Sequence, residues 1–553
     1  MFKKIVLGGV VLLSILSGIF VYNKVSYVGE LVDPLTYFDE FNGNVNNLVY
    51  EDTRIDANEP IQIVDEKAYI SYDVASQSIN DRIFYDYNEK VLTLTSPKEI
   101  VRLYEGDNHI KFKGHEGDYS LITLGDTLYI EASLMDNLFG VTIERGKDGR
   151  LFVATDISKN QTIGTVHKKV QVRTHPAKKS TVVEVLPKGS KVTIYSEADG
   201  FVRVRSENGI IGYLPESDIK VQEVKNAAYV TEQETWRQNP LGETVKMMWD
   251  EVYNQSNNNW ANAKYTSMKN VNVIAPAWFE FENSNGSLSN RASEAYVKEA
   301  HDRNIKVWAI LRHNLEEPSL TREILSSTDK RQKVIKELLD YAEQYHLDGI
   351  NVDIENIQED FSKEWVQFMR ELYPQLKAKG LTVSVDVYAP SAWSGHYERG
   401  KISESSDYFM IMAYDQYWSG SEEAGSVAEL PWTEEGIIAT LEEVPKEKLV
   451  LGMPFYSRLW KETSNGLETR AYSMDSVEEL IDNWGVVPRL DEVSGQNYAE
   501  YIKDGNKYRI WIEDKQSIEK RLKLMEKYDL AGYAAWRLGY ETNDIWDILE
   551  NVE

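Results

Sequence analysis

The stretch Leu347-Asp-Gly-Ile-Asn-Val-Asp-Ile-Glu355 decides the fold of this chain. Because side chains alternate along a β-strand, its isoleucines and valine share one face, whereas Asn351, Asp353 and Glu355 share the other. The apolar face predicts a buried strand that packs against helices, which leaves the polar face in the interior of the sheet. Burying neighbouring carboxyl groups costs free energy, so this arrangement indicates a functional site rather than a requirement of folding.

The same stretch resembles the D-x-x-D-x-D-x-E signature of glycoside hydrolase family 18, the chitinase-like enzymes. Asp348, Asp353 and Glu355 match the signature, and Asn351 stands where its second Asp normally lies. The resemblance implies that Glu355 is the general acid and that Asp353 orients the N-acetyl group of the substrate, whose oxygen is the nucleophile. An amide cannot take up a proton, so we expect Asn351 to hydrogen-bond Asp353 and to alter pH behaviour without abolishing activity.

Strand and helix patterns alternate over residues 227–553, which predicts parallel βαβ units. The predicted strands are Val245–Trp249, Val271–Trp278, Lys306–Leu311, Gly349–Glu355, Thr382–Tyr388, Tyr408–Tyr414, Leu449–Pro454 and Ala531–Trp536. Eight such units predict an α/β fold, a (β/α)8 TIM barrel, with the active site at the C-terminal ends of the strands. Asp353 and Glu355 fall at that end of the fourth strand.

The predicted sixth strand and its end, Tyr408-Phe-Met-Ile-Met-Ala-Tyr-Asp415, resemble the Met-x-Tyr-Asp motif of the same family. Alternation places Met412 and Tyr414 inward, with Asp415 at the strand end. The resemblance implies that the Tyr414 hydroxyl supports the acetamide and that Asp415 binds the sugar. Met412 is included among the predicted substrate-binding residues.

Two later segments are also similar to the family. Leu451-Gly-Met-Pro-Phe-Tyr-Ser-Arg-Leu-Trp460 resembles a seventh-strand segment, which adds Tyr456 and Arg458 to the predicted substrate-binding residues. Gly532-Tyr-Ala-Ala-Trp536 resembles the eighth strand, and the resemblance implies that Trp536 forms an apolar floor beneath the sugar. Four residues at strand ends are candidates for lining the groove or for packing, and among them we assign Trp278 to substrate binding. The four are Trp278, Glu280, Tyr388 and Trp418.

Composition excludes several classes of function. The chain has 553 residues, a formal charge of -28, 42% hydrophobic residues and no cysteine. The negative charge argues against a nucleic-acid partner, because phosphate contacts require clustered Lys and Arg. Without cysteine there is neither thiol catalysis nor Cys-bound zinc, and the isolated histidines offer no copper site. We therefore expect no metal and no cofactor.

The N-terminal segment, residues 1–24, combines two early lysines with an uncharged apolar run from Ile5 to Tyr22. This pattern predicts a membrane-spanning signal anchor that leaves the rest of the chain outside the cytoplasm, and a cleaved signal peptide is the alternative. Residues 25–57 are predicted to form a linker. The expected location is extracytoplasmic, with the chain anchored to the membrane or secreted to the cell wall.

Two smaller domains are predicted before the barrel. Residues 58–160 contain a weak repeat at a spacing of 60, in which Lys67-Ala-Tyr-Ile70 matches Thr127-Leu-Tyr-Ile130, and they are similar to the α+β repeat called the copper amine oxidase N-terminal domain. Residues 164–222 resemble a bacterial Src-homology-3-type domain, a small β-barrel in which Asn208-Gly209 predicts a hairpin turn. That resemblance implies peptidoglycan binding, and a rigid spacer is the alternative.

The wall-type module and a short insert over residues 461–528 favour peptidoglycan over chitin as the substrate. The chain is most similar to the spore-cortex and cell-wall N-acetylglucosaminidases of Gram-positive bacteria. A chitinase, a non-hydrolytic glycan-binding lectin and a membrane-tethered scaffold are the alternatives. The presence of Glu355 argues against the lectin, since the acid would be expendable there.

Overall fold

The computed structural model describes residues 29–43, 45–104, 109–112, 115–224 and 240–553. The chain divides into a smaller unit, residues 1–85 with 101–231, and a larger unit, residues 86–100 with 232–553. The predicted anchor at residues 1–24 lies outside the described residues. Within the ranges that are described, no helix is both long and apolar enough to cross a membrane.

The larger unit contains a closed barrel of parallel strands, as the alternating pattern predicts. Its strands are β1 Val245–Asp250, β2 Val273–Phe281, β3 Lys306–Arg312, β4 Gly349–Asp353, β5 Thr382–Tyr388, β6 Tyr408–Met412, β7 Leu449–Pro454 and β8 Gly532–Trp536. Each strand pairs with the next along the chain, and β8 pairs with β1 to close the barrel. The predicted (β/α)8 barrel is therefore confirmed.

Helices cover the outside of this barrel. They are Ala263–Thr266, Glu294–His301, Pro318–Leu325, Thr328–Tyr345, Ser362–Lys377, Arg399–Ser403, Leu430–Leu441, Lys515–Lys527 and Asn543–Leu549. The helix Thr328–Tyr345 begins where the Ser327 hydroxyl accepts the N–H of Lys330, and it ends at His346 in the left-handed conformation. The Asp86 carboxylate, in the same unit, accepts the backbone N–H and the hydroxyl of Thr328, each at 2.9 Å. Asp86 thus bonds the first residue of the barrel helix Thr328–Tyr345, which connects residues 86–100 to the barrel.

Two apolar clusters lie on opposite faces of the barrel strands. The outer cluster, between strands and helices, contains Ile350, Val352 and Ile354 of the signature stretch. The inner cluster fills the barrel with side chains such as Trp249 and Met410, and Tyr414 and Trp536 pack against it. The alternation read from the sequence thus holds, and it turns Asn351, Asp353 and Glu355 inward.

A five-stranded antiparallel sheet and a helix are inserted between β7 and β8. The strands are Tyr456–Thr463, Gly466–Ser473, Arg489–Asp491, Gln496–Lys503 and Asn506–Ile512, and the helix is Met474–Trp484. The insertion starts at Tyr456, directly after β7, so it begins earlier than the expected residue 461. As a result, Tyr456 and Arg458 lie on its first strand.

In the smaller unit, the two copies of the sequence repeat pair with each other. The strand Lys67–Ser71 lies antiparallel to Thr127–Glu131, with Ile70 opposite Ile130. A helix follows each strand, Tyr72–Val74 and Ala132–Phe139. Between residues 48 and 156 the other strands of the smaller unit are Leu48–Tyr50, Thr53–Arg54, Ile61–Val64, Ile83–Asp86, Ile100–Tyr104, His109–Phe112, His115–Asp118, Leu121–Leu124, Val141–Arg145 and Phe152–Asp156, of which Asp86 and Ile100 fall in the larger unit. The strand Val91–Thr95 belongs to the larger unit.

A seven-stranded antiparallel sheet follows in the smaller unit. Its strands are Gln161–Val166, Val170–Arg173, Val182–Leu186, Lys191–Ala198, Phe201–Ser206, Ile211–Pro215 and Ile219–Val224. Gly209 has a φ of 87° in the turn between the fifth and sixth of these strands, a conformation that favours glycine. The predicted Asn208-Gly209 hairpin is confirmed.

Candidate active site

The site lies at the C-terminal end of β4, where the strand stops at Asp353 and the chain continues into a loop. Asn351 is fully buried, and Asp353 and Glu355 are partly buried at successive inward positions of the same chain segment. Residues two apart on a strand are roughly 6–7 Å apart by the strand rise. The two carboxyl groups are therefore close enough to act on adjacent atoms of one ligand.

Asp353 lies where ionisation is disfavoured. Burial raises the pKa of this carboxyl well above its usual range, and the neighbouring Glu355 and Asp386 raise it further, whereas Arg312 opposes the shift. Its Oδ1 atom is buried and has no hydrogen-bond partner among the residues that the structure describes. A buried acceptor in this state has free capacity for a donor supplied by a ligand.

Glu355 has a different environment from Asp353. Burial raises the pKa of its carboxyl, a hydrogen bond from Tyr388 lowers it, and the charge of Asp415 raises it. The net upward shift allows Glu355 to keep its proton to a higher pH than an exposed glutamate. A raised pKa suits a carboxyl that acts as a general acid.

A polar network occupies the barrel interior beneath these carboxyls. The Asn351 amide donates to the Ser384 hydroxyl and to Asp386 Oδ1, both at 2.9 Å. The Trp249 indole N–H is shared between Asn351 Oδ1 at 3.1 Å and Asp386 Oδ2 at 3.0 Å. Both N–H groups of the Asn351 amide are thus used by β5, so the expected hydrogen bond from Asn351 to Asp353 is not formed.

Asp415 is held at the rim of the site. Its φ of 57° lies in the left-handed region, and its Oδ1 accepts the Tyr456 hydroxyl at 2.6 Å and Arg458 Nη2 at 3.4 Å. The insertion strand therefore orients the carboxylate that follows β6. Since Asp415 remains more than one-third exposed, its second oxygen is available to a ligand.

Aromatic rings form the apolar part of the site. Trp249 contacts Tyr414 and Trp536 edge-to-face, with ring centroids 6.4 Å apart in each pair, and Tyr414 contacts Tyr456 at 6.3 Å. The rings of Trp536, Trp249, Tyr414 and Tyr456 thus form a continuous row from β8 to the insertion, in which Trp249 and Tyr456 are buried and Tyr414 and Trp536 are half-buried. The half-buried ring of Trp536 offers an apolar face that suits the CH-rich side of a pyranose.

Charged residues border Asp353 on the side of β3. Arg312 Nη1 pairs with Glu251 at 2.9 Å, and its Nε pairs with Glu280 at 3.3 Å. Nearby, burial lowers the pKa of His313 to about 4, and its Nδ1 lies 2.6 Å from the Thr321 hydroxyl. His313 is thus neutral near pH 7, and the positive charge of Arg312 acts on Asp353.

The structure brings most of the predicted residues together, with one clear exception. Asn351, Asp353, Glu355, Tyr414, Asp415, Tyr456, Arg458 and Trp536 surround the same end of the barrel. Trp278 is fully buried in the outer cluster, where its indole donates to Asn258 at 2.9 Å. Ala275 and Ala277 occupy the inner cluster instead, so alternation turns Trp278 outward and its assignment to the groove is wrong. Met412 is only 5% exposed, and its contact with substrate stays a prediction.

Sequence reasoning missed Trp249, Asp386 and Arg312 as parts of the site. The same alternation argument, applied to β5, marks Ser384 and Asp386 as polar residues on an interior face. Tyr388, one of the four candidates at strand ends, donates a hydrogen bond to Glu355. Across the described residues, no group of three or more His, Cys, Asp or Glu side chains is placed to hold a metal ion.

Comparison with known proteins places this geometry in a family. The model described as Glycosyl hydrolases family 18 matches residues 225–541, and the model described as Bacterial SH3 domain matches residues 168–220. The "Uncharacterized glycosylase YvbX" of Bacillus subtilis (strain 168) is 24% identical over 290 residues, which cover 50% of this chain and 83% of that protein. The "Cortical fragment-lytic enzyme" of Bacillus anthracis is 23% identical over 290 residues, which cover 49% of this chain and 66% of that protein.

A solved structure shares the fold. The crystal structure of chitinase from Chromobacterium violaceum ATCC 12472 aligns with a TM-score of 0.50 and 21% identity, covering 56% of this chain and 98% of that chain. The family model spans more than half of the sequence and includes β4, which carries Asp353, and the loop after it, which carries Glu355. The chain belongs to glycoside hydrolase family 18 and is a glycoside hydrolase that acts on N-acetylated glycans.

Proposed function

We propose that this chain hydrolyses β-1,4 bonds that follow N-acetylated sugars in peptidoglycan, by substrate-assisted retaining catalysis. The observation that carries the proposal is the environment of Asp353, a buried carboxyl whose Oδ1 has no partner among the described residues, beside the proton-retaining Glu355. An acetamide N–H is a donor of the right kind for that oxygen. Its binding would turn the acetamide oxygen towards the anomeric carbon.

The first chemical step uses Glu355 as an acid. Its proton passes to the glycosidic oxygen as the bond from that oxygen to the anomeric carbon breaks, and the acetamide oxygen bonds to the same carbon. The product is a cyclic oxazolinium ion, which Asp353 stabilises through its hydrogen bond to the acetamide nitrogen. Acid assistance of this kind contributes about 10²–10⁴ in rate.

The second step reverses the role of Glu355. The carboxylate now takes a proton from water, and the water oxygen bonds to the anomeric carbon as the bond from that carbon to the acetamide oxygen breaks. The acetamide is restored, and the anomeric carbon regains its original configuration. Tyr414 supports the acetamide, Trp536 packs beneath the sugar ring, and Asp415, oriented by Tyr456 and Arg458, binds a sugar hydroxyl. Asn351 acts indirectly, through Asp386.

Loops beyond the strand ends support the binding of a long glycan. Tyr253 after β1, Trp393 after β5 and Trp418 after β6 expose 62%, 55% and 55% of their surfaces. Because they follow barrel strands at the end that carries the site, their rings offer apolar faces to further sugar rings. Together with the bacterial SH3 domain, they favour an extended polymer outside the cytoplasm as the substrate.

The test compares the chain with Glu355→Gln, which keeps the shape of the acid but cannot donate a proton. Purified peptidoglycan and chitin oligomers are digested with each protein, and the products are identified by mass spectrometry. We expect glucosamine-ended muropeptides from the wild type and a rate about 10²–10⁴ lower for the variant. Glu359→Gln, an exposed change in the same loop, is the matched control and should retain full activity.

Other outcomes assign a different function. Cleavage of chitin oligomers with intact peptidoglycan would keep the mechanism and make the chain a chitinase. Binding of either glycan with no products from the wild type would overturn the hydrolase and favour a lectin.

A further inference from the structure

A second buried carboxyl lies beside Asp353, on β5. In the parallel pairing of β4 with β5, Asn351 is opposite Ser384 and Val352 is opposite Val385. The next step along this register places Asp353 level with Asp386, and neighbouring strands are about 4.8 Å apart. Asp386 is 2% exposed and belongs to neither the signature stretch nor the other family motifs.

The two carboxyls differ in the number of donors that reach them. Asp386 receives the Asn351 amide at one oxygen and the Trp249 indole at the other, at 2.9 and 3.0 Å. Asp353 leaves Oδ1 without a partner in the described part of the chain. Hydrogen bonds to a carboxylate favour its charged form, so the pair is asymmetric and Asp386 is the member better prepared to ionise.

We propose that Asp386 is a positioning residue that ionises before Asp353, carries the single negative charge of the pair, and thereby keeps Asp353 protonated in the free enzyme. Asn351 contributes by holding Asp386 with an amide that itself cannot titrate. The inference rests on the proposed function, because the charge of the pair supports the oxazolinium ion. The second interior carboxyl of this chain is thus Asp386 on β5, whereas the signature stretch on β4 carries the amide of Asn351 at the position of the family's second Asp.

The surroundings of Asp386 agree with this order of ionisation. The pKa of Asp386 is raised to about 8, with burial as the largest cause, the hydrogen bonds from Asn351 and Trp249 opposing it and Glu355 adding to it. The pKa of Asp353 is also raised well above its usual range, first by burial and then by the charges of Glu355 and Asp386. The titratable and charged groups near the pair come from several elements. They are Glu251 after β1, Arg312 on β3, Asp353 and Glu355 on and after β4, Tyr388 on β5, and Tyr414 after β6.

The test is the pH profile of kcat/KM for Asp386→Asn. Without Asp386 the site must gain its charge at Asp353, which has fewer donors, so the acidic limb should move to higher pH. At a pH on that limb the rate should fall, tenfold for each unit by which the limb moves. The double variant Asn351→Asp with Asp386→Asn returns a carboxyl beside the Trp249 indole, and it should bring the limb back.

Stability gives a second readout that needs no turnover. A carboxyl whose pKa is higher in the folded than in the unfolded protein costs stability as pH rises from about 4 towards about 8. The melting temperature of Asp386→Asn, measured relative to the wild type, should therefore increase across that range. Asp407→Asn is the matched control for the pH profile, because Asp407 is a buried barrel carboxyl outside the site that accepts hydrogen bonds from Lys377 and Tyr373. This variant should leave the acidic limb of kcat/KM at the wild-type position.

The results separate this inference from the proposed function. A melting-temperature difference that stays flat from pH 4 to pH 8 overturns the role of Asp386, whether or not the wild type cleaves glycan. An acidic limb that stays in place in Asp386→Asn, or that the folded double variant fails to restore, overturns it too. If the wild type releases no products but the melting-temperature difference changes with pH as expected, the proposed function is overturned. The conclusion that Asp386 carries the charge of the pair then still holds.

Discussion

At the scale of single residues, two carboxyls on one strand face acquire different chemistry from their neighbours. Glu355 accepts a hydrogen bond from Tyr388, whereas Asp353 is surrounded by the charges of Glu355 and Asp386. Both pKa values are raised, but for Glu355 the Tyr388 hydroxyl limits the shift. Burial, the Tyr388 hydroxyl and the charge of Asp415 together determine the pH at which the proposed acid loses its proton.

Removing the Tyr388 hydroxyl should move the basic limb of the pH profile. In Tyr388→Phe, the hydrogen bond that lowers the pKa of Glu355 is lost, so the pKa rises and Glu355 keeps its proton to a higher pH. We expect the basic limb of kcat/KM to shift to higher pH, which initial rates on soluble glycan oligomers would measure. A shift to lower pH, or no shift, would contradict this assignment.

The matched control for that variant is Tyr373→Phe. Tyr373 also carries a partly buried hydroxyl, which donates to Asp407 at 3.0 Å on the outside of the barrel. Its removal should lower stability slightly while the basic limb stays in place. The comparison separates a local electrostatic effect from a general effect of losing a buried phenol.

At the scale of elements, the site depends on how closely β4 approaches its neighbours. Gly349 begins this strand, and a Cβ atom at that position would lie 2.5 Å from the Thr382 carbonyl oxygen and 2.8 Å from the Trp308 ring. The glycine therefore permits β4 to pair with β5 in the register that sets Asp353 level with Asp386. The absence of a side chain at Gly349 thus permits both the close packing of β4 against its neighbours and the polar network between β4 and β5.

Gly349→Ala should destabilise the barrel. The added methyl group clashes with backbone, which cannot rotate away, so we expect a loss of about 1–3 kcal/mol in the free energy of unfolding. Thermal and denaturant unfolding would measure it. Gly395→Ala is the control, because a Cβ there meets no atom within 4 Å. Equal stability of the two variants would mean that β4 can shift without cost.

At the scale of the whole molecule, the chain separates into two compact units with different compositions of secondary structure. The larger unit holds the site and includes residues 86–100, whose Asp86 caps the helix Thr328–Tyr345. The smaller unit holds the paired repeat and the seven-stranded sheet. A deletion of both predicted smaller domains, residues 58–222, would therefore also remove residues 86–100 from the unit that carries the site.

A narrower deletion tests the division of labour. A variant without residues 161–224 loses the seven-stranded sheet but keeps residues 86–100. We expect unchanged kcat/KM on soluble oligomers and slower release of products from insoluble walls, because a second binding module raises the local concentration of enzyme at the polymer. Reducing-sugar release from each substrate measures both. Loss of activity on soluble oligomers would show that the site depends on the deleted sheet.

The sequence alone determined the strands, their inward faces and the signature carboxyls, because alternation and hydrophobic patterning are local properties of the chain. The predicted bounds of β5 and β7 agree with the structure, and β4 differs only in ending at Asp353. Tertiary structure decided which polar residues meet across strands. Asn351 bonds Asp386 rather than Asp353, because strand register and the geometry of barrel closure depend on residues far apart in sequence.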